Sequence, residues 1–264
     1  MGLRLSPPSF RSLFVEVFAK GDALISTATA TLACTHEGGE QFLVTNRHVV
    51  TGRHQDTLKL LDTGSLEPET LVVWHNSSAA LGHHVKVRVP LYGADESPLW
   101  FEHLIDGPRK DLVVLPAPAQ QGVARYPYVV ESNSHLKVEP AQMVSVVGFP
   151  FAERTAEAFA VWATGFIASE PDFDHGEMPL FLIDCRSRKG QSGSPVILHH
   201  GVHDKDANTI GFKRGESDLL GVYNGRVNED SDLGKVWKAW ALAELLGTAS
   251  GGHPNGRREF ASLD

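Results

Sequence analysis

The sequence predicts an all-β fold, a sandwich or barrel, and three observations point there. Apolar and β-branched runs of strand length recur along 264 residues, separated by Gly, Pro, Asp and Asn. That spacing belongs to packed or closed sheets rather than to βαβ units. The chain also carries 25 Gly and 15 Pro, which supply the many turns such a fold needs. Finally, residues 23–34 set Leu24, Ser26, Ala28 and Ala30 against Ile25, Thr27, Thr29 and Thr31. A period of two gives a strand two unlike faces.

In chain order, strands are expected at 23–34, 41–46, 57–61, 70–75, 84–91 and 111–117. A second set is expected at 142–148, 158–168, 180–185, 194–199 and 219–223. Between the sets, around 117–140, fall Pro116, Pro118, Pro127 and Pro140 with few periodic apolar residues. The connection between two units belongs there. Over 234–246 the period changes, and Val236, Trp240, Ala243 and Leu246 share a helical face with Lys235 and Lys238 off it. The organisation expected is an N-terminal extension (1–21), a first unit (22–122), a second unit with its C-terminal helix (123–250) and a frayed polar tail (251–264).

Composition narrows the function classes. A net charge of −8 argues against general binding of nucleic acid or anionic membranes. Only two cysteines occur, Cys34 and Cys185, which points to a reducing compartment or a bacterial source. Arg11, Glu16 and Lys20 interrupt the apolar residues near the start, so no signal peptide is expected and a cytoplasmic location is the default.

Three segments carry chemistry. Gly190-Gln191-Ser192-Gly193-Ser194-Pro195 places a serine between glycines that allow a tight turn and leave amides facing a developing oxyanion. Alone it would pass for a turn. Upstream lie Leu43-Val44-Thr45-Asn46-Arg47-His48-Val49-Val50 and Asp111-Leu112-Val113-Val114-Leu115. His48, Asp111 and Ser192 follow in that order, 63 and 81 residues apart. Acyl transfer needs a hydroxyl nucleophile, an imidazole to take its proton and a buried carboxylate to hold the imidazole's tautomer. A lone histidine at a strand edge would mean little among 13. His54, His83, His84, His103 and His175 lack comparable context and are expected at the surface. Asp106-Gly107-Pro108 reads as a turn, which favours Asp111 as the carboxylate.

On these motifs the chain, from about residue 22 to 247, resembles the trypsin-like (chymotrypsin-fold) serine peptidases. It looks most like the bacterial, disulfide-free branch that includes the glutamyl endopeptidases. The resemblance implies two antiparallel six-stranded β-barrels, with a C-terminal helix packed on the second. It aligns Gly-x-Ser-Gly with Gly190–Gly193, which selects Ser192 over Ser194 and assigns the oxyanion hole to the amides of Gly190 and Ser192. The residue before the nucleophile is Gln191, not the Asp that binds a newly cut N-terminus in vertebrate-type members. No zymogen switch of that kind is expected, and residues 1–21 are not read as an activation peptide.

By the same resemblance, pocket walls come from 185–189 and 219–226, naming Arg186, Ser187, Lys189, Tyr223, Asn224 and Arg226. Arg186, Arg188, Lys189 and Arg226 form a basic cluster in an acidic chain. It suits either an acidic substrate side chain or arginines that reach solvent and pair with Asp184 and Glu229. Glutamyl endopeptidases carry a histidine after the Gly-Ile-type pair, whereas Tyr223 follows Gly221-Val222 here, which weakens a transfer of glutamate specificity.

No metal or cofactor is expected. His199, His200 and His203, with Asp204 and Asp206, lack metal-site spacing and head a polar segment, 203–218, expected as an exposed loop. An α/β-hydrolase is excluded by Ser194 at the fifth motif position and by the order of the three residues. The expected function is a serine endopeptidase acting on protein or peptide through an acyl-enzyme, restrained by narrow specificity or a protein partner. The alternative is a silent trypsin-fold binding module, which a fluorophosphonate label would separate from an enzyme.

Overall fold

A computed structural model of the chain describes residues 5–55, 57–61, 66–103, 107, 109–131, 138–204, 209–228, 230–250 and 252, with backbone alone for 199–204 and 209–216. Asp106, Asp206 and Glu229 lie outside the described residues, as does the tail expected at 251–264 apart from Gly252.

The first half is one sheet. Strands β1 (Ser12–Ala19), β2 (Ala23–Cys34), β3 (Phe42–Thr45), β4 (Pro68–Ser77), β5 (His84–Pro90), β6 (Phe101–Glu102) and β7 (Val113–Pro116) run in the order β5-β4-β1-β2-β3-β7-β6. Short β8 (Val123–Ala124) pairs with β4, and β9 (Tyr128–Val129) with β2. The second half is a closed six-stranded barrel. Its strands are β10 (Met143–Gly148), β11 (Val161–Ile167), β12 (Leu180–Asp184), β13 (Pro195–Asp204), β14 (Thr209–Arg226) and β15 (Leu233–Lys238). The fold is chymotrypsin-like and mostly β. Among the described residues no helix is long and apolar enough to cross a membrane.

Several sequence expectations change. Among the described residues the first unit is a nine-stranded sheet with distinct end strands, not a second closed six-stranded barrel. Residues 12–19, assigned to an extension, form β1, which pairs with both β2 and β4 in the middle of the sheet. Residues 57–61 form no strand; Leu60 makes only an isolated bridge to Arg53. The segment expected as a loop after His203 instead continues the pairing of β13 with β14, out to Asp204 opposite Thr209. The helical pattern at 234–246 straddles a junction. Residues 233–238 are β15, which closes the barrel, and the helix is Ala239–Ala249.

Strand β2 explains how the halves meet. From Ala28 onward its alternation separates two buried faces rather than a wet and a dry one. Ala28, Ala30 and Leu32 join Val15, Leu43 and Leu71 in the first-half core. Thr29, Thr31 and Ala33 face the other way and are equally buried. Ala33 belongs to a core shared by both halves, where Phe14 and Phe42 pack with Phe149, Val222 and Trp237. The C-terminal helix adds Leu242, Leu245 and Leu246 to that same core, beside Phe101 and Leu112 of the first half. It therefore packs on both halves, not on the barrel alone. Truncating one such buried leucine to alanine typically costs about 2–5 kcal/mol.

Candidate active site

Strand β3 ends at Thr45, and the chain turns at buried Asn46 into a one-turn helix, α1 (Arg47–Thr51), whose second residue is His48. Asn46 does not cap that helix with its side chain. Instead its Nδ2 donates to the backbone carbonyl of Asp111 at 2.7 Å. Asp111 immediately precedes Leu112 and β7, and is 2% exposed. Its Oδ2 lies 2.5 Å from His48 Nδ1, and its Oδ1 accepts the backbone N–H of His48 at 2.7 Å. One residue thus engages both carboxylate oxygens. The opposite ring nitrogen, Nε2, lies 2.9 Å from Ser192 Oγ. A carboxylate can only accept, so the neutral ring's proton sits on Nδ1 and Nε2 is left to accept from the serine hydroxyl.

Ser192 stands in a loop whose glycines are required by space. Gly193 has φ +83°, and a Cβ there would come within 2.1 Å of the Thr29 carbonyl oxygen. Gly190 has φ +95°, and its Cβ would meet the Phe149 carbonyl oxygen at 2.3 Å. Within the loop, the amides of Gln191, Gly193 and Ser194 are consumed by the carbonyls of Arg188, Tyr223 and Gln191. Those of Gly190 and Ser192 have no acceptor among the described residues. Ser194, the rival serine, is fully buried, its Oγ against Gly148 and without a hydrogen-bond partner among the described residues. Gln191 is also fully buried, and its Oε1 accepts the Arg188 amide at 2.7 Å, bracing the loop from within.

Thr29 is a positioning residue that sequence reasoning missed. Its hydroxyl donates to the Gly190 carbonyl at 2.9 Å and accepts the Phe149 amide at 3.2 Å. Its backbone N–H donates to the Ser192 carbonyl at 2.9 Å, and its carbonyl accepts from the Thr45 hydroxyl at 2.9 Å. A strand of the first half therefore holds the serine loop of the second. The only sequence signal was the run of threonines on one face of β2.

Two arginines of the expected basic cluster are drawn to a carboxylate. The Arg186 side chain is 84% exposed, with Nε 3.9 Å from Asp232. Arg188 Nη1 lies 3.4 Å from the same carboxylate and donates to the Ser187 carbonyl at 2.8 Å. Both arginines turn to the surface, and their partner is Asp232 rather than Asp184. Lys189 is exposed, and Arg226 is half-buried. Ser187 and Tyr223 are buried and joined hydroxyl to hydroxyl. Burial, chiefly, pushes the Tyr223 phenol up to about 12. Asn224 Nδ2 donates to Gln55 Oε1 at 2.9 Å, a link from β14 to the segment after His48.

Both cysteines are free and buried. Burial pushes the Cys185 thiol up to about 11 and raises that of Cys34, so neither is a poised thiolate. His54, His83 and His175 are exposed as expected. His84 and His103 are not: their side chains are 3% and 6% exposed, His84 against Phe159 and His103 beside Glu244 of the C-terminal helix. Tertiary packing, which local context does not report, decides this. The side chains of His199, His200, His203 and Asp204 lie outside the described ones. Among the described residues no cluster of three or more potential ligands could hold a metal ion.

The family model of the trypsin-like peptidase domain matches residues 32–203, which contain all three converging side chains. No curated protein matches the chain by sequence. Among solved structures, the chain is similar to an HtrA-type protease with a tripeptide, at 14% identity and TM-score 0.53. That match covers 91% of this chain and 60% of the other, so the chain spans less than two thirds of that relative. An active-form protease from M. tuberculosis matches at 17% identity and TM-score 0.52, covering 94% and 85%. A serine endoprotease from Yersinia pestis matches at 15% and 0.53, covering 94% and 70%. At these identities the likeness speaks for fold.

Proposed function

The chain belongs to the family of trypsin-like peptidase domains, and from that membership we propose that it is a serine endopeptidase with Ser192 as nucleophile. His48 Nε2 removes the serine proton as Oγ attacks a peptide carbonyl, and then delivers that proton to the departing amine. An acyl-enzyme on Ser192 results, and water attacks it by the same route in reverse. Asp111 holds the imidazole by Nδ1 and stabilises the imidazolium as it forms.

The amides of Gly190 and Ser192 supply the oxyanion donors, each worth about 2.7–4 kcal/mol of transition-state stabilisation. Their lack of internal acceptors supports that role, since the amides of Gln191, Gly193 and Ser194 are used within the protein. The substrate is a protein or peptide. With Arg186 and Arg188 turned to Asp232, an acidic primary specificity has no support from their placement.

The observation that carries this reading is the 2.9 Å approach of Ser192 Oγ to His48 Nε2, with Asp111 at 2.5 Å on the far side of the ring. A fluorophosphonate probe tests it. The protein is expected to label once, at Ser192, and Ser192→Ala to lose both label and peptide hydrolysis. Absence of labelling in the folded protein would leave a binding module instead.

A further inference from the structure

The first sheet carries a half-open, mostly apolar cavity of about 320 Å³ that includes none of His48, Asp111 and Ser192 in its lining. Its walls include Leu43 of β3, Val89 of β5, Leu115 of β7 and Val123 of β8. Strand β5, which contributes Val87, Arg88, Val89 and Pro90 to the lining, is an end strand of the sheet among the described residues.

Two of the polar side chains in the lining, His75 and Arg125, are incompletely matched within the protein. His75 is 7% exposed, and its Nδ1 is buried without a hydrogen-bond partner. A buried polar atom normally has one, so this nitrogen marks an unfilled position. Arg125 donates from Nη1 to the Ala117 carbonyl at 2.6 Å, and among the described residues no carboxylate pairs with its guanidinium. The other cation of the lining, Arg88, is already paired with Asp22. Arg125 therefore offers donors in a fork that matches a carboxylate.

We propose that this cavity binds a medium-chain carboxylic acid, with its hydrocarbon among Leu43, Val89, Leu115 and Val123 and its carboxylate on Arg125 beside His75. The size is suitable. A cavity of about 150 Å³ holds benzene, so about twice that volume takes roughly a dozen non-hydrogen atoms. The chemistry is selective as well. An alkylamine would meet the Arg125 charge, and an alcohol would leave that charge unmatched. His75 is neutral at pH 7, because burial first and Arg125 second lower it to about 4. It adds a hydrogen-bonding nitrogen without a second charge.

Calorimetry on the full chain with octanoate, octanol and octylamine tests the proposal. Octanoate is expected to bind, octanol at least about tenfold more weakly, and octylamine not measurably. Arg125→Gln should bring octanoate down to the octanol level. Val89→Phe, which fills the cavity from a half-buried position, should abolish both. Ser192→Ala should leave octanoate binding unchanged, which keeps this result separate from the fate of the peptidase reading. Thermal melts establish that each variant is folded, and if Val89→Phe is not, Arg125→Gln decides. No octanoate binding, or an octanoate affinity untouched by Arg125→Gln, overturns the proposal.

Discussion

Thr29 and Gly190 are 161 residues apart in sequence, yet the hydroxyl of the first donates to the carbonyl of the second at 2.9 Å. The same hydroxyl takes the Phe149 amide, so one buried side chain fixes the start of the serine loop and the turn beneath it. Thr29→Val keeps the volume and removes both bonds, leaving a carbonyl and an amide unpaired. The expected cost is about 1–3 kcal/mol of stability, with a kcat about tenfold lower and KM nearly unchanged. Urea denaturation and steady-state kinetics on a peptide substrate measure this. Wild-type kcat would remove Thr29 from the positioning machinery.

Asp111→Asn tests the grip on the ring. An amide of the same shape can donate to Nδ1, which moves the ring proton to Nε2, where it can no longer accept from Ser192. A loss of about 10⁴-fold in kcat is expected with the fold intact. Fluorophosphonate labelling should slow in parallel, while circular dichroism stays as in the parent.

Gly193→Ala places a methyl where the Thr29 carbonyl oxygen already sits and demands φ +83° of an L-residue. Backbone strain of that kind costs about 1–3 kcal/mol before the clash is counted. Both activity and melting temperature should fall sharply. A melting temperature equal to the parent's would mean that the loop adopts another path.

Acid sensitivity follows from His75. Burial, and then Arg125, lower its pKa from 6.5 to about 4. The unfolded chain therefore binds this proton at a higher pH than the folded one. The associated stability is complete above about pH 6.5 and is lost as pH falls toward 4, by about 3 kcal/mol in all. His75→Gln should flatten that limb of a stability profile followed by urea melts. An equal loss in the variant would assign the limb to other groups.

Much of the site was legible because its chemistry permits few residue types. The segments around His48, Asp111 and Ser192 can be read one by one, and the structure brings all three within hydrogen-bond reach. Strand β2 was read to the residue, since alternation is a local property. The errors share a cause, which is dependence on distant partners. Residues 234–238 read as helix because Val236 happens to fall in helical register with residues across the junction, although Trp240, on that same face, is 44% exposed. Strand β1 was missed because Glu16 interrupts its apolar run, yet that carboxylate accepts from Trp74 Nε1 at 2.8 Å. The direction of the Arg186 side chain was equally unreadable, since Asp232 lies 46 residues on and local sequence does not record their meeting.

His48 and Asp111 ride on the sheet, whereas Ser192 rides on the barrel. On the proposed mechanism the transferred proton therefore crosses from one half to the other instead of staying within either. A shear of one ångström between the halves would stretch the serine–imidazole contact beyond useful length while leaving each half intact. On the proposed mechanism, contacts that grip both halves, such as the Thr29 hydroxyl and the C-terminal helix, would keep the serine armed.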